Sequence, residues 1–130
     1  MVETTTPPRA SRTEMLNRIL RTLQAESPDI EAAALMSDDG LLIASAMPQH
    51  IEEVRVGGMS ATLIALGTRA GAELGIGKPE QVLIRGENGY AVLQTASSGT
   101  VLLVLATSHA KLGLVFLDMS RAVKEINKLI

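Results

Sequence analysis

The chain has 130 residues, 46% of them hydrophobic and 20% charged, with a formal net charge of −2, a length that suits one domain able to bury its own core. The mild acidity leaves no basic footprint for a phosphate backbone, and Tyr90 and Phe116, the only aromatic residues, give no stacking platform for single-stranded nucleic acid. No cysteine is present, which excludes disulfides and thiolate metal sites and fits a cytoplasmic protein.

Residues 1–10, MVETTTPPRA, are rich in threonine and proline and lack the apolar stretch of a signal peptide. They are expected to form a disordered tail ahead of a single domain over 11–130. Ser11-Arg12-Thr13-Glu14 has the spacing of a capping box, in which hydroxyl and carboxylate satisfy opposed backbone N–H groups. Leu16, Ile19, Leu20 and Leu23 then recur at helical spacing, and Pro28 stops the helix they predict.

Residues 30–36 and 41–46 are short aliphatic runs parted by Ser37-Asp38-Asp39-Gly40. Gly40 tolerates positive φ and the aspartates bond their own backbone, so this reads as a hairpin. A cation site on Asp38 and Asp39 is the alternative, opposed by the missing further oxygen ligands of a calcium loop.

Pro48 separates the hairpin from the longest helical stretch, 51–74, whose middle from Val56 to Thr68 holds no charged residue. An ordinary surface helix is charged along one side. At 100° per residue, Val56, Met59, Leu63, Leu66, Ala70 and Leu74 share one face. A second face collects Gly57, Ser60, Ala61, Ile64, Thr68, Gly71 and Ala72, nearly all small, while Arg55, Arg69 and Glu73 occupy the remaining third. The large-residue face is expected under a sheet. Glycines inside a helix cost about 1 kcal/mol each relative to alanine, so the small face is expected to serve close approach of another helix, at an interface between copies. A helix sandwiched within one protomer is the alternative.

Leu74-Gly75-Ile76-Gly77-Lys78-Pro79 ends this helix, with Gly75 as a left-handed cap. Gly77-Lys78 is not a phosphate-binding loop, because Ala72 and Pro79 break the pattern and the glycines follow a helix instead of a strand. Residues 81–85, 90–95 and 100–106 predict a three-strand meander, with Asn88-Gly89 as the tight turn and Ser97-Ser98-Gly99 as the looser one. Val101 to Ala106 is apolar on both faces and is expected to be a central, doubly covered strand. A last helix starts near position 110, its buried face carrying Leu112, Val115, Phe116, Met119, Val123, Ile126 and Ile130. The stretch 88–110 has no Asp, Glu, Lys or Arg, yet Asn88, Gly89, Gln94 and the Ser97–Thr100 turn interrupt it, so no membrane insertion is expected.

The order helix, two strands, helix, three strands, helix predicts an α+β domain with three helices on a five-stranded, mostly antiparallel sheet. His50 and His109 lack metal-ligand spacing, the carboxylates are scattered over turns and helix ends, and no nucleophile elbow, zinc-protease helix or dinucleotide fingerprint occurs. No catalytic, cofactor-binding or metal-binding residue is assigned on this basis.

The element order, Asp39-Gly40-Leu41-Leu42-Ile43-Ala44 in the first hairpin, Gln81-Val82-Leu83-Ile84-Arg85-Gly86 with Asn88-Gly89, and Leu112-Gly113-Leu114 opening the last helix together resemble the Roadblock family of dynein light chains and bacterial MglB-like proteins. The resemblance covers about residues 11–130. It implies a profilin-like sheet of strand order 2-1-5-4-3, with the first and third helices on one face and the long helix on the other. It also implies homodimers formed through the long helix and third strand, and non-enzymatic regulation or scaffolding of a small Ras-like GTPase. A purely structural dimerisation module, or a sensor holding a small molecule between sheet and helix, are the competing functions; the lack of convergent polar groups among the core positions stands against the sensor.

On this reading the dimer interface comprises Gly57, Ser60, Ala61, Ile64, Thr68 and Gly71 of the helix with Gln81, Val82, Leu83, Ile84 and Arg85 of the strand. A stretch of this length makes a helix about 36 Å long, and a stripe ~10 Å wide along it covers only ~360 Å². A standard interface needs about 800 Å² per partner, so the edge strand is expected to pair as well. Arg55, Arg69 and Glu73, beside that surface, are the expected GTPase contacts, with plain solvated helix decoration as the competing role.

Overall fold

The computed structural model describes residues 11–130, so the expected tail over 1–10 lies outside the described residues. Helix α1 (Arg12–Glu26) opens with the capping box: Glu14 N–H donates to Ser11 Oγ at 3.0 Å, and Ser11 N–H donates to Glu14 Oε1 at 3.1 Å. This reciprocal bonding holds the Glu14 carboxyl below its ordinary range, the backbone N–H of Ser11 contributing most and its hydroxyl next. The chain leaves α1 through Ser27-Pro28 into strands β1 (Ile30–Ser37) and β2 (Leu42–Ala46). In the turn between them Gly40 sits at φ +94°, and Ser37 Oγ donates to the Asp39 carboxylate, the turn chemistry expected of this stretch.

Helix α2 (Glu53–Glu73) ends on Gly75 at φ +70°, with Ile76 N–H returning to the Gly71 carbonyl at 2.9 Å. Strands β3 (Gln81–Gly86), β4 (Gly89–Ala96) and β5 (Thr100–Thr107) follow, and α3 (Leu112–Asn127) closes the domain. The β3–β4 hairpin turns one residue earlier than expected. Gly86 pairs with Gly89, leaving Glu87 and Asn88 as the two loop residues and Gly89 in the strand.

All strand pairs are antiparallel, in the order β2-β1-β5-β4-β3. The central strands β1 and β5 feed both faces by simple alternation. Leu35, Leu102 and Val104 point to a core shared with Leu16, Leu20 and Leu23 of α1 and Val115, Met119 and Ile126 of α3. Ala34, Met36, Val101 and Leu103 point to the other face, under α2. The doubly apolar reading of 101–106 therefore reflects two covers of unequal depth. On the α2 side, Ile64 is the one large helix residue that is fully buried.

Candidate functional site

The small-residue face of α2 is turned inward, onto the protomer's own sheet. Gly57, Ser60, Ile64 and Gly71 are its buried residues. A Cβ added at Gly57 would lie 2.1 Å from the Gly40 carbonyl oxygen, and one added at Gly71 would lie 2.0 Å from the Gly77 carbonyl oxygen. Close backbone approach is thus the reason for these glycines, as their cost demands. Its partners are the β1–β2 turn at one end of the helix and the α2–β3 connection at the other.

This corrects the expected assignment of Gly57, Ser60, Ile64 and Gly71 to an intermolecular interface, because the protomer itself already buries them. Ala61 is half-buried on the flank beside Gly40, and Thr68 is exposed, its hydroxyl donating to the Ile64 carbonyl at 2.8 Å. The large-residue face divides. Val56 and Leu63 pack along the edge of the second core, whereas Met59 at 54%, Leu66 at 62% and Leu74 at 72% exposure face solvent. A helical wheel states which residues share a face and is silent on which face the sheet takes, so Met59 and Leu66 were missed as surface residues. The charge-free middle of the helix was the signal that they carried.

Beside this face runs β3, at one edge of the sheet, paired only with β4. Gln81, Leu83, Ile84 and Arg85 are exposed and Val82 is half-buried against the second core. Val82 and Ile84 point to the α2 side; Leu83, opposite Val92, points to the α1/α3 side, where neither helix reaches far enough to cover it. The Arg85 guanidinium lies 6.0 Å from the centroid of the Tyr90 ring, its cross-strand neighbour. An edge strand with two exposed aliphatics and an unpaired backbone side is a template for another strand.

Arg55, Arg69 and Glu73 are on the outward side of α2, toward its two ends, and leave Met59, Thr62 and Leu66 between them. Arg55 Nε is 3.9 Å from Glu52 and Arg69 Nε is 3.9 Å from Glu73, with all four side chains at least 70% exposed. Pairs this long and this wet contribute at most a few tenths of a kcal/mol. They cost little to rearrange around a partner.

A recess of about 470 Å³ lies between α1 and α3, not between sheet and helix. Its inner polar groups are already used: Ser27 Oγ donates to Asp118 Oδ2 at 2.5 Å, and Arg121 lies 3.7 Å from Asp118 Oδ1. Among the described residues no group of three or more His, Asp or Glu side chains is arranged to hold a metal ion.

A five-stranded antiparallel sheet of this order, with two helices on one face and one on the other, defines a profilin-like domain, here carrying an apolar helix face beside an open strand edge. The chain belongs to the Roadblock/LC7 family, whose domain model matches residues 16–106. The uncharacterized protein MJ1340 of Methanocaldococcus jannaschii is 34% identical over 112 residues, covering 86% of this chain and 96% of that protein. Among solved structures, the Roadblock/LC7 domain from Streptomyces avermitilis is 26% identical with a TM-score of 0.81, over 86% of this chain and 94% of that one. Myxococcus xanthus MglB, 21% identical, superposes with a TM-score of 0.84 over 95% of this chain and 96% of its own, a likeness of fold.

Proposed function

We propose that this protein is a non-enzymatic homodimeric adaptor that acts in the cytoplasm, binds a small Ras-like GTPase and influences its nucleotide cycle or localisation. The observation that carries the dimer is the exposure of Met59 and Leu66 on α2, a helix seated by Gly67 against Val82 of the open edge strand β3. A single apolar helix stripe is too small for a stable interface, and so is a lone edge strand. Together they offer side-chain burial and backbone pairing at once. Antiparallel pairing of Gln81, Val82, Leu83, Ile84 and Arg85 with the same strand of a second copy places the two-fold axis perpendicular to the sheet. Both α2 helices then lie side by side on one face of a continuous sheet, and both α1/α3 layers lie on the other. Ala61 and Thr68 stay within this interface reading as flanking residues, while Met59 and Leu66 take the place of the four inward residues.

The partner class comes from Roadblock membership; the location comes from charge. Arg55, Arg69 and Glu73 rim the apolar centre of the outward face, where a GTPase bound across the two α2 helices meets them. The arginines are expected to pair with acidic residues of the GTPase, since a rigid helix is a poor platform for an arginine finger. The test is a titration of the Ras-like GTPase encoded nearest to this chain's gene, loaded with GDP or a GTP analogue. Wild type is expected to bind one state in preference, and Arg55→Ala and Arg69→Ala to weaken binding several-fold. No binding in either state would leave a dimerisation scaffold as the function. Undiminished binding by both variants would keep the partner and discard these contacts.

A further inference from the structure

Among the described residues ten large hydrophobic side chains are prominently exposed, and eight belong to the α2 side, β3 or the turns around them. The other two, Leu114 at 55% and Leu117 at 46%, stand on α3, across the sheet from any α2-mediated interface. On the helical wheel they share an arc of about 80° with Arg121, Lys124 and Lys128, opposite the buried Val115, Met119, Ala122 and Ile126. Asp118 and Glu125 flank that arc, 3.7 Å from Arg121 and 2.9 Å from Lys128, and Lys111 precedes it, exposed. Charge over the molecule is correspondingly lopsided. From Arg12 to Glu26 and from Lys111 to Lys128 there are seven Lys and Arg against four acids, a net +3, in a chain whose total is −2. The remainder therefore carries −5. Lys111 and Lys124 take part in no ion pair among the described residues.

We infer that the outer face of α3 is a docking surface for an anionic lipid bilayer, with Leu114 and Leu117 entering the headgroup boundary and Lys111, Arg121, Lys124 and Lys128 over the lipid phosphates. Two features favour a bilayer over an acidic protein. Its cations are mostly lysines on long stems, a residue type depleted from protein interfaces and suited to a diffuse field of charge. Leu114 and Leu117, neighbours one turn apart, protrude from α3, which a deformable headgroup layer accommodates without a matching pocket. No helix is long and apolar enough to cross a membrane among the described residues, so the contact is peripheral. It leaves α2, on the far face of the sheet, and the edge strand β3 free for a second copy and a further partner.

Co-sedimentation of the full chain with vesicles tests this. Phosphatidylcholine vesicles are expected to recover little protein, and vesicles with about a third phosphatidylglycerol to recover it at low salt and release it at about 0.5 M salt. Each basic residue near an anionic surface contributes about fivefold in partitioning, so Lys124→Glu with Lys128→Glu should lower it by about 25-fold or more. Leu114→Ser with Leu117→Ser should lower it by about tenfold. All four positions are solvent-exposed, so both variants keep the fold, and Lys78→Glu on the α2–β3 connection should bind as wild type does. Three results would each overturn the inference: no recovery on anionic vesicles, equal loss with Lys78→Glu, or leucine variants that bind like wild type while soluble polyglutamate strips the protein from the vesicles. The last would assign the face to an acidic polypeptide.

Discussion

Gly57 and Gly58 are neighbours on one helix, yet replacing each with alanine should move stability in opposite directions. Alanine is favoured over glycine in a helix interior by about 1 kcal/mol, so Gly58→Ala, whose new Cβ has no heavy atom within 4 Å, should stabilise the protein by about 0.5–1 kcal/mol. At Gly57 the same propensity gain applies, but the Cβ would arrive 2.1 Å from the Gly40 carbonyl oxygen. Ordinary contact requires more than 3 Å, so helix and turn must part by about 1 Å. The turn has little room to give, because Gly40 is itself at φ +94° and a Cβ there would meet the Gly57 carbonyl at 2.7 Å. Overpacking of this kind costs about 1–3 kcal/mol and outweighs the propensity gain. Denaturant unfolding of the three proteins at one concentration should place Gly58→Ala above wild type and Gly57→Ala below it, with similar m-values. Equal stabilisation by both alanines would refute the inward seating of this face.

Met59→Asp combined with Leu66→Asp should shift the protein from the proposed dimer to its 13.8 kDa monomer in light scattering at micromolar concentration, with helix content retained. The Glu14 carboxyl should titrate below its ordinary range, and Ser11→Ala, which removes the hydroxyl but keeps the backbone N–H that contributes most, should bring it only part of the way back; carboxyl NMR shifts read both. Because its folded pKa is depressed, the capping contribution is complete above the ordinary value and is lost as pH falls through the folded one. Gly71→Ala should destabilise less than Gly57→Ala, since its 2.0 Å clash is with Gly77 in a glycine-rich connection, not with a sheet turn.

Much of this fold was written locally. The Ser11–Glu14 box, the Gly40 turn, the Gly75 cap and the two-sided apolar run after Thr100 each state a backbone requirement within a few residues, and each stands where expected. The seating of α2 was not local. Its wheel holds a large face and a small face, and which one meets the sheet depends on Gly40 and Gly77, whose carbonyls rise to the helix from elements distant in sequence or beyond its cap. Glycine reported the close approach faithfully without reporting the partner. The β3 edge was legible only through the family resemblance, since β1 has the same setting between a helix and a hairpin and yet pairs on both sides. Charge on α3 went unread for another reason: its basic residues are balanced by acids elsewhere, so the whole-chain total conceals them.

Seating α2 by its glycines has a consequence for how the fold and the interface depend on each other. Helices α1 and α3 bury seven large side chains between them, Leu16, Leu20, Leu23, Val115, Met119, Val123 and Ile126, whereas α2 buries only Ile64. The low seat gives α2 good backbone contact and leaves its larger residues, Met59 and Leu66, in water. In the proposed dimer those residues are covered by the second copy, so association supplies burial that the protomer lacks, and stability should depend on concentration. For a two-state dimer of this size, each tenfold rise in concentration adds about 1.4 kcal/mol per dimer and about 2–3 °C in melting temperature. The Met59→Asp, Leu66→Asp protein should melt lower than wild type and show no such dependence. Its α2 amides should also exchange faster than those of β1 and β5, as expected of the least anchored element. A wild-type melting temperature constant over a hundredfold dilution, or α2 amides equally protected in both proteins, would show that α2 is held by its own protomer alone.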